Sequence, residues 1–263
     1  NKDSKFVSLS DKIRIIPNQD MQIPLLTPQK DPMGAAIADY FANGKASKLR
    51  VFSSMFDEDE IPVKQLFRNF TEMPVLEQEA LRMSEGRILD VGAGSGCHSL
   101  ALQEMGKTVK AIDISPLSVE VILKRGVKDA CLENFFNEQF SGSFDTILML
   151  MNGSGIVGKI ANLPIFFHTL KRLLAPGGCV WMDSSDLRYL FEDEDGNLDI
   201  DIDDDYYGEV DFRMQYKNIR GDRFDWLYLD FQTLSLHAAN NGFKAEKIRE
   251  GEHFDYLAKI SRI

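Results

Sequence analysis

Long hydrophobic runs and cysteines are scarce in this 263-residue chain. No apolar run approaches the roughly eighteen residues that a membrane-spanning helix needs, and no secretory signal is visible, so we expect a cytoplasmic protein without a membrane partner. The three cysteines stand at 97, 131 and 179, and their spacing matches neither a metal site nor a disulfide framework. We therefore expect buried thiols in a reducing compartment and no bound metal.

Basic residues are also few, because 30 Lys and Arg face 41 Asp and Glu, which gives a formal net charge of −11. Nonspecific binding to nucleic acid requires neutralisation of phosphates by basic side chains, so we expect no nucleic-acid partner. Hydrophobic residues make up 44% of the chain. This length and composition are typical of one large domain, or of one domain with appendages, and leave the oligomeric state open.

A glycine-rich segment is the most informative feature that is present. Residues 88–96 read Ile-Leu-Asp-Val-Gly-Ala-Gly-Ser-Gly, and a later apolar segment ends at Asp113. Glycines at 92, 94 and 96 let the backbone turn sharply and approach a ligand closely. An acid at the tip of the next strand can accept both hydroxyls of a ribose. Cys97 stands where the dinucleotide fingerprint needs a small residue, so the turn suits a nucleoside better than a pyrophosphate.

Strands and helices are predicted to alternate around this turn. A parallel, doubly wound sheet follows from such an alternation. The predicted strands are 87–91, 108–113, 127–131, 144–151 and 179–183, and the predicted helices are 95–105, 116–125 and 164–174.

The flanking regions divide the chain into a tail or arm (1–30), a mostly helical cap (31–84) and a main domain (85–263). An insertion at about 192–229 begins with an acidic tract, 192–205, and continues with two predicted strands. A helix and a final pair of strands complete the domain; these segments are 210–216, 223–229, 231–241, 243–249 and 256–260.

The segment 88–96 resembles the first motif of the class I S-adenosylmethionine-dependent methyltransferases. Residues 144–151 are similar to the fourth strand of that family, and residues 173–183 to its following helix end, turn and fifth strand. The resemblance covers roughly residues 85–190. It implies a mostly parallel seven-stranded Rossmann-like sheet, S-adenosylmethionine as cofactor and S-adenosylhomocysteine as product. The implied reaction is in-line methyl transfer to an O, N or C atom of an acceptor. We expect a small-molecule acceptor because the cap and the insertion suggest an enclosed site, and a protein or nucleic-acid acceptor, which would need an open cleft, stays open as an alternative.

The cofactor would be held by the glycine turn and the strand ends beside it. Asp113 is expected to bind the ribose, and the resemblance implies that Ile114 lies against the adenine. Asp90 is expected to take the cofactor ammonium, directly or through water. The amino-acid end of the cofactor would pass the turn formed by Gly92, Ala93, Gly94 and Gly96.

Two further groups are predicted from the same resemblance. Asn134, with Phe135 beside it, stands where the family usually has an acid that accepts from the adenine amino group, although Glu133 is an alternative. Met149 and Met151 would face the methyl group. Asn152 could orient a nucleophile or accept from the cofactor ammonium.

A general base is needed only if the acceptor loses a proton. His253, in the predicted terminal hairpin turn, is one candidate, and Asp183, Asp186 and Tyr189 after the fifth strand are others. Two readings from other classes stay open at this point. One is another nucleoside-dependent enzyme, such as an aminopropyltransferase or an NAD oxidoreductase, and the other is a non-catalytic cofactor-binding protein.

Overall fold

The computed structural model describes residues 23–191 and 205–263. Most of the predicted tail and all but the last residue of the acidic tract lie outside these ranges. The helices are Pro32–Asn43 (α1), Val75–Met83 (α2), Cys97–Glu104 (α3), Pro116–Lys124 (α4), Leu163–Leu173 (α5) and Phe231–Asn240 (α6). The strands are Leu49–Phe52 (β1), Asp59–Ile61 (β2), Arg87–Val91 (β3), Thr108–Asp113 (β4), Ala130–Leu132 (β5), Phe144–Met149 (β6), Leu174–Ser185 (β7), Glu209–Tyr216 (β8), Ile219–Arg220 (β9), Phe224–Leu227 (β10), Phe243–Glu250 (β11) and Asp255–Arg262 (β12). Among the described residues, no helix is both long and apolar enough to span a membrane.

Seven strands form the main sheet in the order β11-β12-β7-β6-β3-β4-β5. The pairs from β7 to β5 are parallel, and β12 is antiparallel to both β7 and β11. The predicted doubly wound, mostly parallel sheet is therefore confirmed. Because parallel strands all end on the same side, the last residues of β3, β4, β6 and β7 meet at one edge, here termed the carboxyl edge.

Helices pack on both faces of the main sheet, as in other parallel sheets. Ile147 packs with residues of α5 and α6, whereas its neighbour Leu148 packs with residues of α2 and α3. Both side chains are fully buried. The alternation follows from the period of two along a strand, which sends successive side chains to opposite faces.

Several strand boundaries differ from the predictions: the strand predicted at 144–151 ends at Met149, and two other strands of the main sheet begin at different residues. The strand predicted at 127–131 begins at Ala130, because the backbone N–H of Lys128 donates to Gln103 Oε1 (2.8 Å) instead of joining the sheet. The strand predicted at 179–183 begins already at Leu174, which pairs with Phe144. Gly178 explains that extension, because a Cβ there would lie 2.9 Å from the Phe144 carbonyl oxygen, so only glycine lets the two backbones approach.

A second, antiparallel sheet joins the cap to the insertion. Its order is β10-β8-β1-β2, with β9 paired to β8, and we term it the accessory sheet. Leu49 of the cap pairs with Tyr216 of the insertion. The Tyr216 hydroxyl donates to Asp39 Oδ2 (2.7 Å) and accepts from the Ser47 N–H (3.0 Å). The cap is thus part helix and part sheet, and local sequence patterns did not predict this long-range pairing.

The arm at residues 23–30 leads into α1 through a buried cap. Asp31 is fully buried, and its Oδ1 accepts from the Gly34 N–H (2.8 Å) at the start of α1. Its Oδ2 accepts from the Ser115 hydroxyl, whose oxygen accepts from the Ser118 N–H (2.9 Å) and so caps α4. One carboxylate therefore fixes the N-termini of two helices against each other.

Replacing Asp31 with alanine is expected to lower the free energy of unfolding by roughly 1–3 kcal/mol, because the Gly34 N–H at the start of α1 and the Ser115 hydroxyl both lose their acceptor. Asp31→Asn keeps an acceptor for Gly34, and burial raises the pKa of Asp31, so a neutral side chain suits this site. The free energy of unfolding should therefore fall less in Asp31→Asn than in Asp31→Ala. Urea unfolding of both variants at neutral pH measures the difference, and equal losses would contradict this account.

Candidate functional site

The glycine turn, residues 92–96, connects β3 to α3 at the carboxyl edge. Gly92, Gly94 and Gly96 have φ of +69°, +58° and +81°, a region that favours glycine. A Cβ on Gly92 would meet no atom within 4 Å, and one on Gly94 would meet only the Gly92 oxygen at 4.0 Å. At Gly96 it would lie 3.2 Å from Ile122. Gly92 and Gly94 therefore border open space, and Ala93 between these two glycines is buried. Gly96 allows α4 to pack closely against the turn.

Asp113 is the last residue of β4 and lies against the glycine turn. Its Oδ2 accepts from the Gly94 N–H (2.8 Å), and its Oδ1 accepts from the Ser115 N–H (2.8 Å). Burial raises the pKa of Asp113 to about 6, and the two N–H groups offset part of that rise. At neutral pH the carboxylate is mostly ionised, and each oxygen keeps a lone pair for a further donor.

The residues predicted around adenine also contact the arm. The Ile114 carbonyl accepts from the Leu26 N–H (2.9 Å), and Asn134 Nδ2 donates to the Ile23 carbonyl (2.7 Å). Asn134 Oδ1 accepts from the Phe136 N–H (2.9 Å) and keeps one lone pair. Phe135 is buried in the core, with its ring centroid 5.1 Å from that of Phe136. The structure thus brings Ile114 and Asn134 to one side of the turn, where the arm crosses.

The end of β6 lies on the other side of the glycine turn and has an unusual backbone. Met149 is buried, whereas Met151 is 40% exposed. Met151 and Asn152 have φ of +66° and +61°, in the left-handed region that non-glycine residues rarely adopt. Both polar atoms of the Asn152 side chain are buried, and neither has a hydrogen-bond partner in the described ranges. An unpaired buried carboxamide is costly, so these atoms point to a ligand.

Asp183, near the end of β7, holds this turn in place. Its Oδ1 accepts from the Gly153 N–H (3.0 Å), and its Oδ2 accepts from the Met151 N–H (3.2 Å). Burial raises the pKa of Asp183 to about 7. The sequence indicated Asp183 only as a candidate base, and its contacts with the β6 turn follow from the pairing of β6 with β7.

A buried ionic network below the glycine turn escaped the sequence analysis. It consists of Arg68 and Glu77 in the cap and His98 in α3. Glu77 accepts from Arg68 through both oxygens, and Glu77 Oε2 lies 2.7 Å from His98 Nε2. Asp90, 2% exposed at the end of β3, accepts from the Ser99 hydroxyl (2.6 Å). No local signal pairs residues so far apart, since the contact exists only once the cap packs on α3.

Burial and pairing compete within this network. Burial alone would lower the pKa of His98, but its hydrogen bond to Glu77 and the charge of Asp90 outweigh burial and raise it. Burial alone would raise the pKa of Glu77, but His98 and Arg68 outweigh it and hold the pKa below its ordinary value. A charged His98 and an ionised Glu77 therefore stabilise each other.

His253 lies in a turn that contacts two other base candidates, because the Phe254 carbonyl accepts from the Asp186 N–H (2.9 Å) and the Phe254 ring contacts Tyr189. It is exposed in the turn between β11 and β12, next to Phe254, whose ring stacks on Tyr189 with centroids 4.6 Å apart. Asp255 pairs with Ser185, so the turn lies at the carboxyl edge. Cys97 is buried, and burial raises the pKa of its thiol to about 12, as expected for an unreactive side chain.

Comparisons with known proteins find methyltransferases that are similar to this chain. A family model described as a methyltransferase domain matches residues 89–182. The crystal structure of an S-adenosylmethionine-dependent methyltransferase from Bacteroides fragilis, in complex with S-adenosyl-L-homocysteine, is 68% identical. The match covers 90% of this chain and 97% of that one, with a TM-score of 0.86.

Two curated relatives match over shorter segments. The cypemycin N-terminal methyltransferase of Streptomyces sp. is 30% identical over 109 residues, which cover 40% of this chain and 44% of that protein. The ubiquinone biosynthesis O-methyltransferase of Caulobacter sp. (strain K31) is 32% identical over 100 residues, which cover 35% of this chain and 38% of that protein. The chain spans less than half the length of either relative.

Replacing Glu77 with glutamine is expected to lower the free energy of unfolding by roughly 3–5 kcal/mol, because Arg68 and His98 then stay buried without their counter-charge. The contribution of Glu77 is present above its ordinary pKa of 4.5 and is lost as the pH falls through its lower folded value. Urea unfolding of wild type and variant at neutral pH measures the loss.

The contribution of His98 has the opposite pH dependence. Because its folded pKa is raised above 6.5, the contribution is full below pH 6.5 and is lost as the pH rises through the folded value. The stability difference between wild type and His98→Gln should therefore shrink as the pH rises from 6.5 through the raised folded pKa. A difference that stays constant over this range would show that His98 contributes by packing alone.

Proposed function

The chain belongs to the class I S-adenosylmethionine-dependent methyltransferases, and we propose that it methylates an O, N or C atom of a small-molecule acceptor. S-adenosylmethionine is the cofactor and S-adenosylhomocysteine the product. The observation that carries the proposal is the Asp113 carboxylate fixed to the glycine turn beside open space. A nucleoside fits this arrangement because ribose hydroxyls can donate to the remaining lone pairs of Asp113.

The residues at the carboxyl edge fit the cofactor. The space at Gly92 and Gly94 admits a chain that a Cβ would obstruct, and Asp113 presents acceptors for the ribose. Ile114 supplies an apolar contact for a flat base, and Asn134 keeps one lone pair for an adenine amino group. Asp90 is buried and bonded to Ser99, which supports a role through water or through the backbone more than direct contact.

When bound, the cofactor supplies a methyl group on a cationic sulfur, which becomes the neutral thioether of the product as the acceptor's lone pair bonds to the methyl carbon. The sulfonium is already a good leaving group, so the protein's main task is to hold the acceptor in line and exclude water. An acceptor that carries a proton releases it to solvent or to a nearby base. Of the proposed catalytic residues, Asn152 is buried beside the glycine turn, and exposed His253 would approach from the solvent side.

The accessory sheet supports a small acceptor. Trp226 of β10 packs so closely on the turn after β6 that a Cβ on Gly155 would lie 1.8 Å from its indole. On the same face of the sheet, Phe212 pairs with Phe224. This apolar wall narrows the carboxyl edge, whereas a nucleic acid or a folded protein needs an open cleft. One curated relative is named an N-terminal methyltransferase and the other an O-methyltransferase. The acceptor atom of this chain is therefore a question for experiment.

Calorimetric titration tests the ribose assignment. S-adenosylmethionine and S-adenosylhomocysteine should bind with dissociation constants of about 1–100 μM, and NAD should not bind. Asp113→Ala should weaken both adenosyl compounds by about tenfold or more, because two charge-assisted hydrogen bonds are lost. Folded wild-type protein that binds neither adenosyl compound would sink the proposal.

The affinity for S-adenosylhomocysteine should also depend on pH. Ribose hydroxyls donate to the ionised carboxylate, and the pKa of Asp113 is raised to about 6, so affinity should fall as the pH drops below 6. The fall should approach about tenfold per pH unit if Asp113 alone titrates. Asp113→Asn cannot titrate, and a variant that showed the same pH dependence would assign it to another group.

A further inference from the structure

We propose that the Asn152 carboxamide binds the amino-acid end of the cofactor, and that Asp183 is the positioning residue that holds it there. This inference rests on the proposed function, because it concerns the same carboxyl edge. The two polar atoms of Asn152 are buried, and they lack hydrogen-bond partners within the described residues. A group that can both donate and accept is required to satisfy them.

The order of the strands places Asn152 at the correct end of the ligand. Asp113 ends β4, the glycine turn follows β3, and Asn152 follows β6, which pairs with β3 on the side away from β4. Two strand spacings separate β4 from β6, about 10 Å. A ligand whose ribose lies at Asp113 and which crosses the glycine turn therefore extends toward Asn152 with the end opposite its base.

The chemistry of that end matches a carboxamide. An amino-acid zwitterion presents an ammonium, which donates, beside a carboxylate, which accepts. Asn152 Oδ1 accepts from the former while Nδ2 donates to the latter, so one side chain pairs with both. Asp90 is the other candidate for the ammonium, but its Oδ2 already accepts from the Ser99 hydroxyl, whereas both polar atoms of Asn152 are unpaired within the described residues.

Asp183 determines where the carboxamide stands. Asp183 accepts hydrogen bonds from the backbone N–H groups of Met151 and Gly153, the two residues on either side of Asn152. These two hydrogen bonds fix the left-handed backbone at 151 and 152 from both sides. Gly153 contributes as well, because a Cβ there would lie 2.7 Å from Met149 Cβ. The strained turn and the unpaired carboxamide thus share one cause, the carboxylate at the end of β7.

Two ligands that differ only at the amino-acid end test the role of Asn152. S-adenosylhomocysteine carries the zwitterion, and 5′-methylthioadenosine lacks it. Asn152→Gly removes the carboxamide and suits the positive φ, so the variant should fold with an unchanged or raised melting temperature. We expect it to bind S-adenosylhomocysteine about tenfold or more weakly and 5′-methylthioadenosine with unchanged affinity in calorimetric titrations.

Asp183→Asn tests the positioning role. The carboxamide keeps one acceptor but turns its NH₂ toward a backbone N–H, so one of the two hydrogen bonds is lost. We expect the same ligand-selective loss as in Asn152→Gly, and no further loss in the double variant, because the two residues act as one unit. Asp145→Asn is the matched control. Asp145 also accepts a backbone N–H, that of Arg87 (2.7 Å), but at the opposite edge of the sheet, and its variant should bind both ligands normally.

Each other outcome overturns part of the inference. Equal weakening of both ligands in Asn152→Gly would mean that the residue only shapes the pocket, and no weakening of either would refute a contact between the carboxamide and the cofactor. Normal binding in Asp183→Asn, alongside weak binding in Asn152→Gly, would remove the positioning role. Wild-type protein that binds 5′-methylthioadenosine and S-adenosylhomocysteine equally well would refute both parts, whereas failure to bind either ligand would refute the proposed function itself.

Discussion

Parallel pairing of β3 with β4 on one side and with β6 on the other is the constraint on which the site depends. A turn follows each of these strands at the carboxyl edge. Three segments that are distant in sequence therefore meet there. The glycine turn lies in the middle, Asp113 on one flank and Asn152 on the other. A ligand that crosses this edge therefore contacts the three turns in a fixed order.

Buried carboxylates dominate the surroundings of that ligand. Asp90, Asp113 and Asp183 lie at or near the carboxyl ends of β3, β4 and β7, and burial raises the pKa of each. Backbone N–H groups hold two of them, and Ser99 holds the third. A cationic ligand gains from this excess of negative charge in a site of low dielectric constant. Arg68 and His98 carry two positive charges against the one carboxylate of Glu77, and the charge of His98 also acts on Asp90, so they offset part of this excess.

The cap and the insertion act on the site as one unit. β1 of the cap pairs with β8 of the insertion, and β10 brings Trp226 against the turn at Gly155. On its other side, the cap reaches below the glycine turn through Glu77 and His98. The cap therefore contributes both to the accessory sheet and to the ionic network with His98.

The sequence by itself determined the alternating fold, the glycine turn and the position of Asp113, because strand periodicity and positive φ at glycine are local properties. It also indicated the strand end at Asn152, although not the unpaired state of its carboxamide. Only the tertiary structure decided the accessory sheet, the pairing of Glu77 with His98 and the hold of Asp183 on the β6 turn. Each of these joins residues from separate elements, and their contacts depend on strand order and helix packing, which no local pattern records.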